Sequence, residues 1–238
     1  MLPNMHGQDR LQGTGGVYRG TDRLDPIGSC FALGLHDYFV TAAHCVRGVP
    51  MDQLRVKYLG FSPEREDGQV VSVALHEEFD VAVLRVNVAY SRVIVPFTGL
   101  RGVVYLGSPV TSIGRPVGIV DAQSKEHIRV LRGNVQAAHV YAGRGGHAYA
   151  AVELSFAAPP GLSGAPVFVD EFPLHVVGHV TENFQTSTIV ESHEETVEAG
   201  SSTRVEYRSY ITFGIAAHLV HCVDFLEGAI PCGSLKAF

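Results

Sequence analysis

Three short segments of the chain contain residue types that together can perform acyl transfer. His44 follows the apolar run in FVTAAHCV, Asp80 precedes the alternating run VAVLRV, and Ser163 lies between glycines in PPGLSGAPV. A histidine at the end of a strand can act as general base toward a serine hydroxyl, and a buried carboxylate can hold the tautomer of its imidazole. Taken singly, each also fits a structural role: a packed histidine, a turn aspartate or a serine in a glycine-rich hairpin. Their occurrence together favours a catalytic triad.

The glycines around Ser163 indicate how such a serine can be supported. Gly161 and Gly164 flank Leu162 and Ser163, and the apolar run APVFV follows. A serine nucleophile needs backbone N–H groups directed at the oxyanion that develops on the substrate. A glycine two residues before the serine lets the backbone fold so that the N–H groups of Gly161 and Ser163 converge. We therefore predict that these two residues form an oxyanion hole.

The elements that must position these residues are mostly strands. Short apolar runs bounded by glycine, proline or charge recur along the chain, from CFALGL and DYFVTAAH to LHVVGHVTE and YRSYITFGIA. Runs of this length are typical of strands in barrels. The turn residues PFTGLRG, near Phe97 to Gly102, divide the runs into two series. The pattern predicts an all-β chain: an N-terminal extension at 1–14, a first barrel at 15–98 with His44 and Asp80, and a second barrel at 99–238 with Ser163.

Two segments depart from this strand pattern. Apolar residues recur at helical spacing from Ile215 to Leu226, which predicts a C-terminal helix over 215–226. The stretch from Asn183 to Ser209 carries several glutamates with little periodicity, which predicts a mobile acidic loop on the surface.

Composition excludes several other classes of function. The chain has 24 acidic and 18 basic residues, a formal net charge of −6, and no block rich in Lys and Arg, so we expect no nucleic-acid partner. No run of 18 apolar residues occurs and the N-terminus MLPNMHGQDR has no signal-peptide pattern, which predicts a cytoplasmic chain with no membrane partner. No HExxH or CxxC motif occurs, so we expect no metal and no cofactor.

The three segments carry a family resemblance. TAAHC, DVAVL and GLSGAPV resemble the catalytic boxes of the chymotrypsin/trypsin superfamily of serine proteases, over nearly the whole chain from about Gly15 to Leu226. SIGRPVG and RGNVQAA resemble segments of the compact bacterial branches, the HtrA-type and glutamyl-endopeptidase-like enzymes. The resemblance implies a chymotrypsin-like fold of two antiparallel six-stranded β-barrels with a C-terminal helix. Because no PDZ-sized region follows, it also implies a stand-alone protease domain.

The same resemblance implies an activity and a role for each residue. It implies a serine endopeptidase that hydrolyses protein or peptide substrates through an acyl-enzyme intermediate, with the catalytic site between the barrels. Ser163 is then the nucleophile, His44 the base and later the acid, and Asp80 the carboxylate that orients His44. Gly161 and Ser163 supply the oxyanion-hole amides.

Substrate preference is also implied by matching positions. Ala157 lies six residues before the nucleophile, where trypsin-like members set the charge of the specificity pocket, so cleavage after Lys or Arg is not expected. Thr181, Glu182 and Asn183 match the side wall of that pocket and the edge that pairs with an extended peptide. His179 lies one residue from the pocket histidine of glutamyl-specific relatives, so it should point away. We predict a small or medium apolar residue before the cut.

Two departures from the family bear on regulation and redox state. Leu162 replaces the aspartate that captures the new N-terminus in secreted digestive enzymes, so that activation route is closed. We expect either constitutive competence or control by loop ordering, which leaves room for an activating or regulatory protein partner. Cys30 and Cys45 lie where many members carry a disulfide beside the catalytic histidine, but the expected cytoplasmic setting favours free thiols.

Two other functions fit parts of the same pattern. The first is a catalytically silent, chymotrypsin-like module that binds peptides or proteins; the intact triad positions argue against it. The second is a serine esterase. Esterases usually place GxSxG at a strand-to-helix turn, whereas GLSGAP here leads into the strand-like run APVFV.

Overall fold

A computed structural model describes most of the chain. The described residues are 12–58, 68–88, 96–117, 128–143, 148–172, 174–197, 201–231 and 235–237. Residues 1–11 of the predicted N-terminal extension lie outside them, and so does Cys232.

Six antiparallel strands close into the first barrel in the order β1-β2-β3-β6-β5-β4. They are β1 (Thr14–Arg19), β2 (Asp25–Ala32), β3 (Tyr38–Thr41), β4 (Leu54–Tyr58), β5 (Gly68–Leu75) and β6 (Ala82–Asn87). Alternate side chains of a strand share one face, so residues such as Val17, Phe39 and Leu84 fill the interior and are fully buried. A short helix, Ala43–Val46, follows β3, and a 3₁₀ turn, Met51–Gln53, precedes β4.

The second half of the chain forms a larger sheet whose central six strands close into a ring. The strands are β7 (Gly99–Leu100), β8 (Pro109–Gly114), β9 (Arg129–Ala142), β10 (Ala148–Leu154), β11 (Pro166–Val169), β12 (His175–Val197), β13 (Ser201–His218) and β14 (Lys236–Ala237). The order β11-β8-β9-β10-β13-β12 is antiparallel and is closed by pairing between β11 and β12. Strands β7 and β14 extend the sheet through parallel pairs. The predicted chymotrypsin-like, all-β fold is confirmed.

A shared apolar core joins the two barrels. Phe97 packs against Phe31 and Phe168, with ring centroids 5.6 Å and 5.9 Å apart. Leu219 and Leu226 from the C-terminal segment complete this core. Burying each of these large side chains stabilises the fold by about 1.5–3 kcal/mol, so the barrels hold a fixed relative position. The division of the chain at residue 98 stays a prediction.

The C-terminal helix exists, but the prediction that it starts at Ile215 is wrong. Ile215–His218 end strand β13, a 3₁₀ turn covers Leu219–Cys222, and the helix covers Val223–Ala229. Ile215 to Ala217 are buried on both faces of β13, so this strand has no polar alternation and its apolar residues mimic helical spacing. Within the part of the chain that the structure describes, no helix is long and apolar enough to cross a membrane.

The predicted acidic loop is instead a long β-hairpin, and that prediction is wrong. β12 and β13 pair continuously from Asn183 opposite Gly214 to Val197 opposite Ser201. Residues 183–187 and 208–211 are exposed, so the hairpin projects from the ring. Where both faces of a ribbon are exposed, as at these residues, the sequence has no period-two apolar signal. Its strand-forming threonines, valines and tyrosines were the signal that remained.

Candidate active site

Asp80, in the turn before β6, hydrogen-bonds to both the backbone and the ring of His44 in the short helix. Asp80 Oδ2 lies 2.6 Å from His44 Nδ1, and Asp80 Oδ1 accepts the backbone N–H of His44 at 2.8 Å. The backbone carbonyl of Asp80 accepts the N–H of Ala43 at 3.2 Å. These bonds fix both the backbone and the ring of His44. They leave Nε2 of the imidazole for a second partner.

The same contacts set the charge states of the pair. Burial lowers the pKa of His44, but the hydrogen bond to Asp80 and the interaction with Cys45 raise it more, to about 10. Burial raises the pKa of Asp80, while the hydrogen bond and charge of His44 lower it below its ordinary value. An ion pair is therefore the favoured resting state, and His44 must lose its proton before it can act as a base.

Ser163 lines the same cleft but does not yet face the histidine. Its Oγ donates a hydrogen bond to the backbone carbonyl of Thr181 at 3.0 Å. Both Ser163 and His44 belong to the described residues, and no hydrogen bond joins their side chains. The hydroxyl must leave the carbonyl of Thr181 to donate its proton to His44 Nε2. Catalytic hydrogen bonds often form only in the substrate complex, so this geometry is compatible with a nucleophile.

Two peptide units in the loop before Ser163 have carbonyl oxygens bonded elsewhere, which sets the direction of their N–H groups. The carbonyl of Pro160 accepts the N–H of Val117 at 2.7 Å, and the carbonyl of Leu162 accepts the N–H of Ala165 at 2.8 Å. In a trans peptide the N–H points opposite to the C=O, so the N–H groups of Gly161 and Ser163 point away from these partners. Gly161 adopts a φ of +86°, a left-handed conformation that glycine accepts without strain.

Ser29, which the sequence did not single out, ties this loop to the first barrel. Its Oγ donates to the carbonyl of Gly161 at 2.8 Å and accepts the N–H of Arg115 at 3.1 Å. Its backbone N–H donates to the carbonyl of Ser163 at 2.7 Å. Ser29 is fully buried in β2. A serine in an apolar strand was the only signal, and it did not reveal the partner across the barrels.

A β-bulge in β12 shapes the wall beside Ser163. The register shifts between Val180 and Glu182, so Thr181 is the extra residue. Thr181 Oγ1 contacts the hydroxyl of Tyr149 at 3.0 Å and donates to the carbonyl of Ile215 at 3.1 Å. Burial raises the pKa of Tyr149, so its hydroxyl keeps its proton. Tyr149 is a second lining residue that sequence reasoning missed.

Asn183 closes the far side of the cleft. Its side-chain carbonyl accepts the N–H of Ala158, and its amide donates to the carbonyl of Ala158, both at 2.6 Å. The placement of Ala157 at the pocket floor needs correction: Ala157 is exposed, and Ala158 lines the cleft instead. Residues 157–159 form no strand, so spacing alone did not fix which side chain turns inward.

The cleft has a volume of about 530 Å³ and is lined by both barrels. His44, Glu78 and Asp80 contribute from the first barrel, and the second contributes the Pro159–Gly161 loop, Ser163 and the bulge. The predicted wall residues Thr181, Glu182 and Asn183 all line it. Among the described residues, no three His, Cys, Asp or Glu side chains are grouped to hold a metal.

His179 lies behind the cleft rather than in it. Its side chain is fully buried, and its Nε2 lies 2.9 Å from the backbone carbonyl of Asp80. Burial lowers the pKa of His179 to about 4, although Asp80 opposes this, so the ring is neutral at physiological pH. A neutral ring donates from Nε2 to the carbonyl of Asp80. His179 thereby joins the second barrel to the turn that carries the aspartate.

The cysteines near the site are free thiols. Cys30 and Cys45 are buried and unbonded, and Cys45 Sγ lies 3.9 Å from the carbonyl of Ser163. A Cβ placed on Gly28 would lie 2.6 Å from Cys45 Sγ. Gly28 therefore packs directly against the Cys45 thiol.

Two barrels with His44, Asp80 and Ser163 in the cleft between them have the architecture of a chymotrypsin-like serine endopeptidase. Residues 28–178 match the family model described as the trypsin-like peptidase domain. This match spans more than half of the chain, and the chain belongs to this family. It is a serine endopeptidase by class.

Solved structures share the fold at low sequence identity. The Rv3671c protease from M. tuberculosis in its active form is 14% identical, with a TM-score of 0.62 over 99% of this chain and 89% of that one. The MamO protease domain from Magnetospirillum magneticum is 17% identical, with a TM-score of 0.61 over 92% and 98%. The HtrA-type protease AlgW with tripeptide is 18% identical, with a TM-score of 0.64 over 96% of this chain but 64% of AlgW. No curated protein sequence matches the chain.

Proposed function

We propose that the chain cleaves protein substrates through an acyl-enzyme intermediate on Ser163, with His44 as general base and acid and Asp80 as the orienting carboxylate. The proposal rests on the two hydrogen bonds from Asp80 to the backbone and the ring of His44, with Ser163 in the same cleft. A carboxylate that holds only the ring can be a chance contact. Two bonds from one carboxylate fix the position of the imidazole as well as its tautomer.

The geometry supports a specific order of events. Ser163 Oγ leaves the carbonyl of Thr181, rotates toward His44 Nε2 and attacks the substrate carbonyl carbon while His44 takes its proton. The oxyanion then receives hydrogen bonds from the N–H groups of Gly161 and Ser163. The protonated His44 donates the proton to the nitrogen of the leaving amine as the C–N bond breaks, and the acyl group stays on Ser163 Oγ. Water repeats the sequence on the acyl-enzyme and releases Ser163.

The cleft walls support a small or medium apolar residue before the cut. Val180 and Ala158 supply apolar lining to the cleft, which the charged Arg47, Glu78 and Glu182 also line. The bridge from Asn183 to the backbone of Ala158 limits the depth of the pocket. A shallow apolar pocket excludes large side chains by steric overlap.

Features of the cysteines, of the related AlgW structures and of Ser163 support a cellular compartment, a substrate class and a regulatory partner. Buried, unbonded Cys30 and Cys45 support a reducing compartment and hence the cytoplasm. AlgW was solved with peptides bound, which supports protein or peptide substrates for this chain as well. The hydrogen bond between Ser163 and Thr181 supports control by ordering of the nucleophile when substrate or a regulatory protein binds.

Labelling with a fluorophosphonate probe tests the proposed chemistry. We expect covalent labelling of the purified protein, because an activated serine attacks the probe phosphorus, and we expect Ser163→Ala and His44→Ala each to abolish it. Intact-mass spectrometry measures the added group. Ser155→Ala serves as the control, since Ser155 is exposed away from the cleft. Folded wild-type protein that stays unlabelled would support the catalytically silent binding module instead.

A cleavage profile on a proteome-derived peptide library tests the predicted preference. We expect Ala, Val and similar residues before the cut. Asn183→Ala, which removes the bridge to Ala158, should raise kcat/KM for Leu or Phe relative to Ala by about 10-fold, because extra methylenes in an opened apolar pocket contribute about 1–3 kcal/mol. Gln185→Ala is the matched control on the same strand. Cuts mainly after Lys, Arg or Glu would contradict the preference.

A further inference from the structure

Strand β12 continues far beyond the ring and keeps one edge open. Only the segment from Val176 to His179 pairs with β11, and His175 and Val176 pair with β7. From Asn183 to Val197 its partner among the described strands is β13 alone. At about 3.3 Å per residue this segment is about 45 Å long. A two-stranded ribbon is only marginally stable in water, and an open edge is a template for a third strand.

The hydrogen bonds at the base of the ribbon show which residues face the open edge. Val180 directs its N–H and C=O away from β13, to Ala165 and Gly164, at 2.9 and 2.7 Å. The N–H of Gly214 likewise points away from β12, to the carbonyl of Phe156 at 2.7 Å. Gly214 pairs with Asn183, so the backbone groups of Asn183 point outward too.

Alternation then assigns the rest of the edge. In an antiparallel pair every second residue directs its N–H and C=O to the partner strand and the others direct them outward. With Asn183 outward, Gln185 and Ser187 are outward as well, opposite Thr212 and Tyr210. The side chains of residues 183–187 are exposed, so the edge is accessible among the described residues.

This edge is continuous with the cleft, which determines its occupant. Asn183 lines the cleft and begins the open edge, and the carbonyl of Thr181 lies 3.0 Å from Ser163 Oγ. The leaving amine must lie toward His44 in the first barrel, so the acyl half of the substrate lies on the β12 side. Moving away from the cut, that half runs from Thr181 toward Ser187, antiparallel to β12.

We propose that the substrate strand expected beside Thr181 to Asn183 continues along the ribbon edge, where Gln185 and Ser187 bind it as an added antiparallel strand, so that the enzyme selects extended chains of seven or more residues before the cut. The third, fifth and seventh residues before the cut lie opposite Asn183, Gln185 and Ser187. The fourth lies beside Phe184, whose side chain is 43% exposed. The proposal rests on the proposed function, because it takes Ser163 as the point of cleavage.

Peptide affinity measured on a Ser163→Ala background tests the ribbon edge without requiring turnover. The probes are fluorescein-labelled peptides of Ala and Thr, with Ala before the cut, a constant segment after it, and three, five or seven residues before it. We expect the Kd to fall about 2- to 10-fold at each two-residue step, since each step adds backbone hydrogen bonds. Fluorescence anisotropy measures the Kd.

A proline at a β12 position whose N–H faces outward tests whether that N–H donates a hydrogen bond to the substrate strand. Gln185→Pro removes one outward N–H, and an edge strand accepts proline where its N–H faces solvent. We expect Gln185→Pro to abolish the gain at five residues and beyond while leaving the three-residue peptide unchanged. Gln185→Ala, which keeps the N–H, should bind like the parent. Ser187→Pro should abolish only the gain at seven.

Several outcomes would overturn the ribbon proposal. These are a Kd that does not change beyond three residues, a Gln185→Ala variant as weak as Gln185→Pro, or a gain only from residues after the cut. A concentration-dependent dimer that Gln185→Pro dissociates, measured by analytical ultracentrifugation, would assign the edge to a second copy of the chain instead. Length-dependent binding without cleavage by the wild type would refute the proposed protease activity and leave the ribbon site intact.

Discussion

Replacing Asp80 by Asn is expected to lower the limiting kcat/KM at high pH by about 10,000-fold. The carboxylate accepts from Nδ1 and from the backbone N–H of His44, at 2.6 and 2.8 Å. An amide at this position can turn its NH₂ toward Nδ1, which stabilises the wrong tautomer and leaves Nε2 protonated. The imidazolium that forms during attack also loses its counterion.

The same substitution is expected to move the pH profile. Catalysis needs neutral His44, so kcat/KM falls as pH drops through the pKa of that ring. In the wild type this pKa is raised to about 10, which places the acid limb at alkaline pH. Asp80→Asn removes the charge that raises it, so the limb should shift to lower pH. The ratio between wild type and variant therefore narrows as pH falls.

Glu78→Gln is the control for the Asp80 experiment. Glu78 lines the same cleft, and its substitution also removes one negative charge. We expect a small displacement of the pH limb and little change in the limiting rate, because its exposed carboxylate is screened by water. An Asp80→Asn enzyme that keeps more than a tenth of the limiting kcat/KM would remove Asp80 from the triad.

The sequence predicted the class of fold, and it singled out three residues that the structure places in one cleft, because their signals are local. TAAHC, DVAVL and GLSGAPV each combine a reactive side chain with the strand or turn that holds it. Ser29, Tyr149 and His179 could not be assigned in this way. Each acts through a partner distant in sequence, such as the carbonyl of Asp80 for His179, and only the packing of the barrels brings the partners together.

The wall of the cleft shows a second reason for failure. A bulge adds one residue to a strand, so the alternation that determines which side chains face inward changes there. The bulge at Thr181 is such a case. The backbone before Pro159 is irregular, so Ala158 lines the cleft instead of Ala157. In the ribbon, the apolar alternation is absent and not merely shifted. The described side chains at residues 183–187 and 208–211 are exposed, so the apolar alternation that identifies most strands is missing there.

Gly161→Ala is expected to lower kcat by about 100- to 1,000-fold, the effect of losing one oxyanion-hole donor. Gly161 has a φ of +86°, and a Cβ there would lie 2.5 Å from the backbone N of Val117. The loop must move to relieve this contact, which breaks the bond between Val117 and Pro160 and turns the Gly161 N–H away from the oxyanion. KM should change little, because the bond to the oxyanion forms mainly in the transition state.

Gly107→Ala is the control that distinguishes loss of the oxyanion-hole N–H in Gly161→Ala from backbone strain alone. Gly107 has a φ of +80°, and a Cβ there would meet nothing within 4 Å. Gly107→Ala should lose about 1–2 kcal/mol of stability from the left-handed backbone, measured by urea unfolding, and Gly161→Ala should lose more because of its contact with Val117. Only Gly161→Ala should lose kcat while still binding substrate. Equal kcat losses in the two variants would mean that the Gly161 N–H does not face the oxyanion, and the hole would then have to be built from Ser163 and another donor.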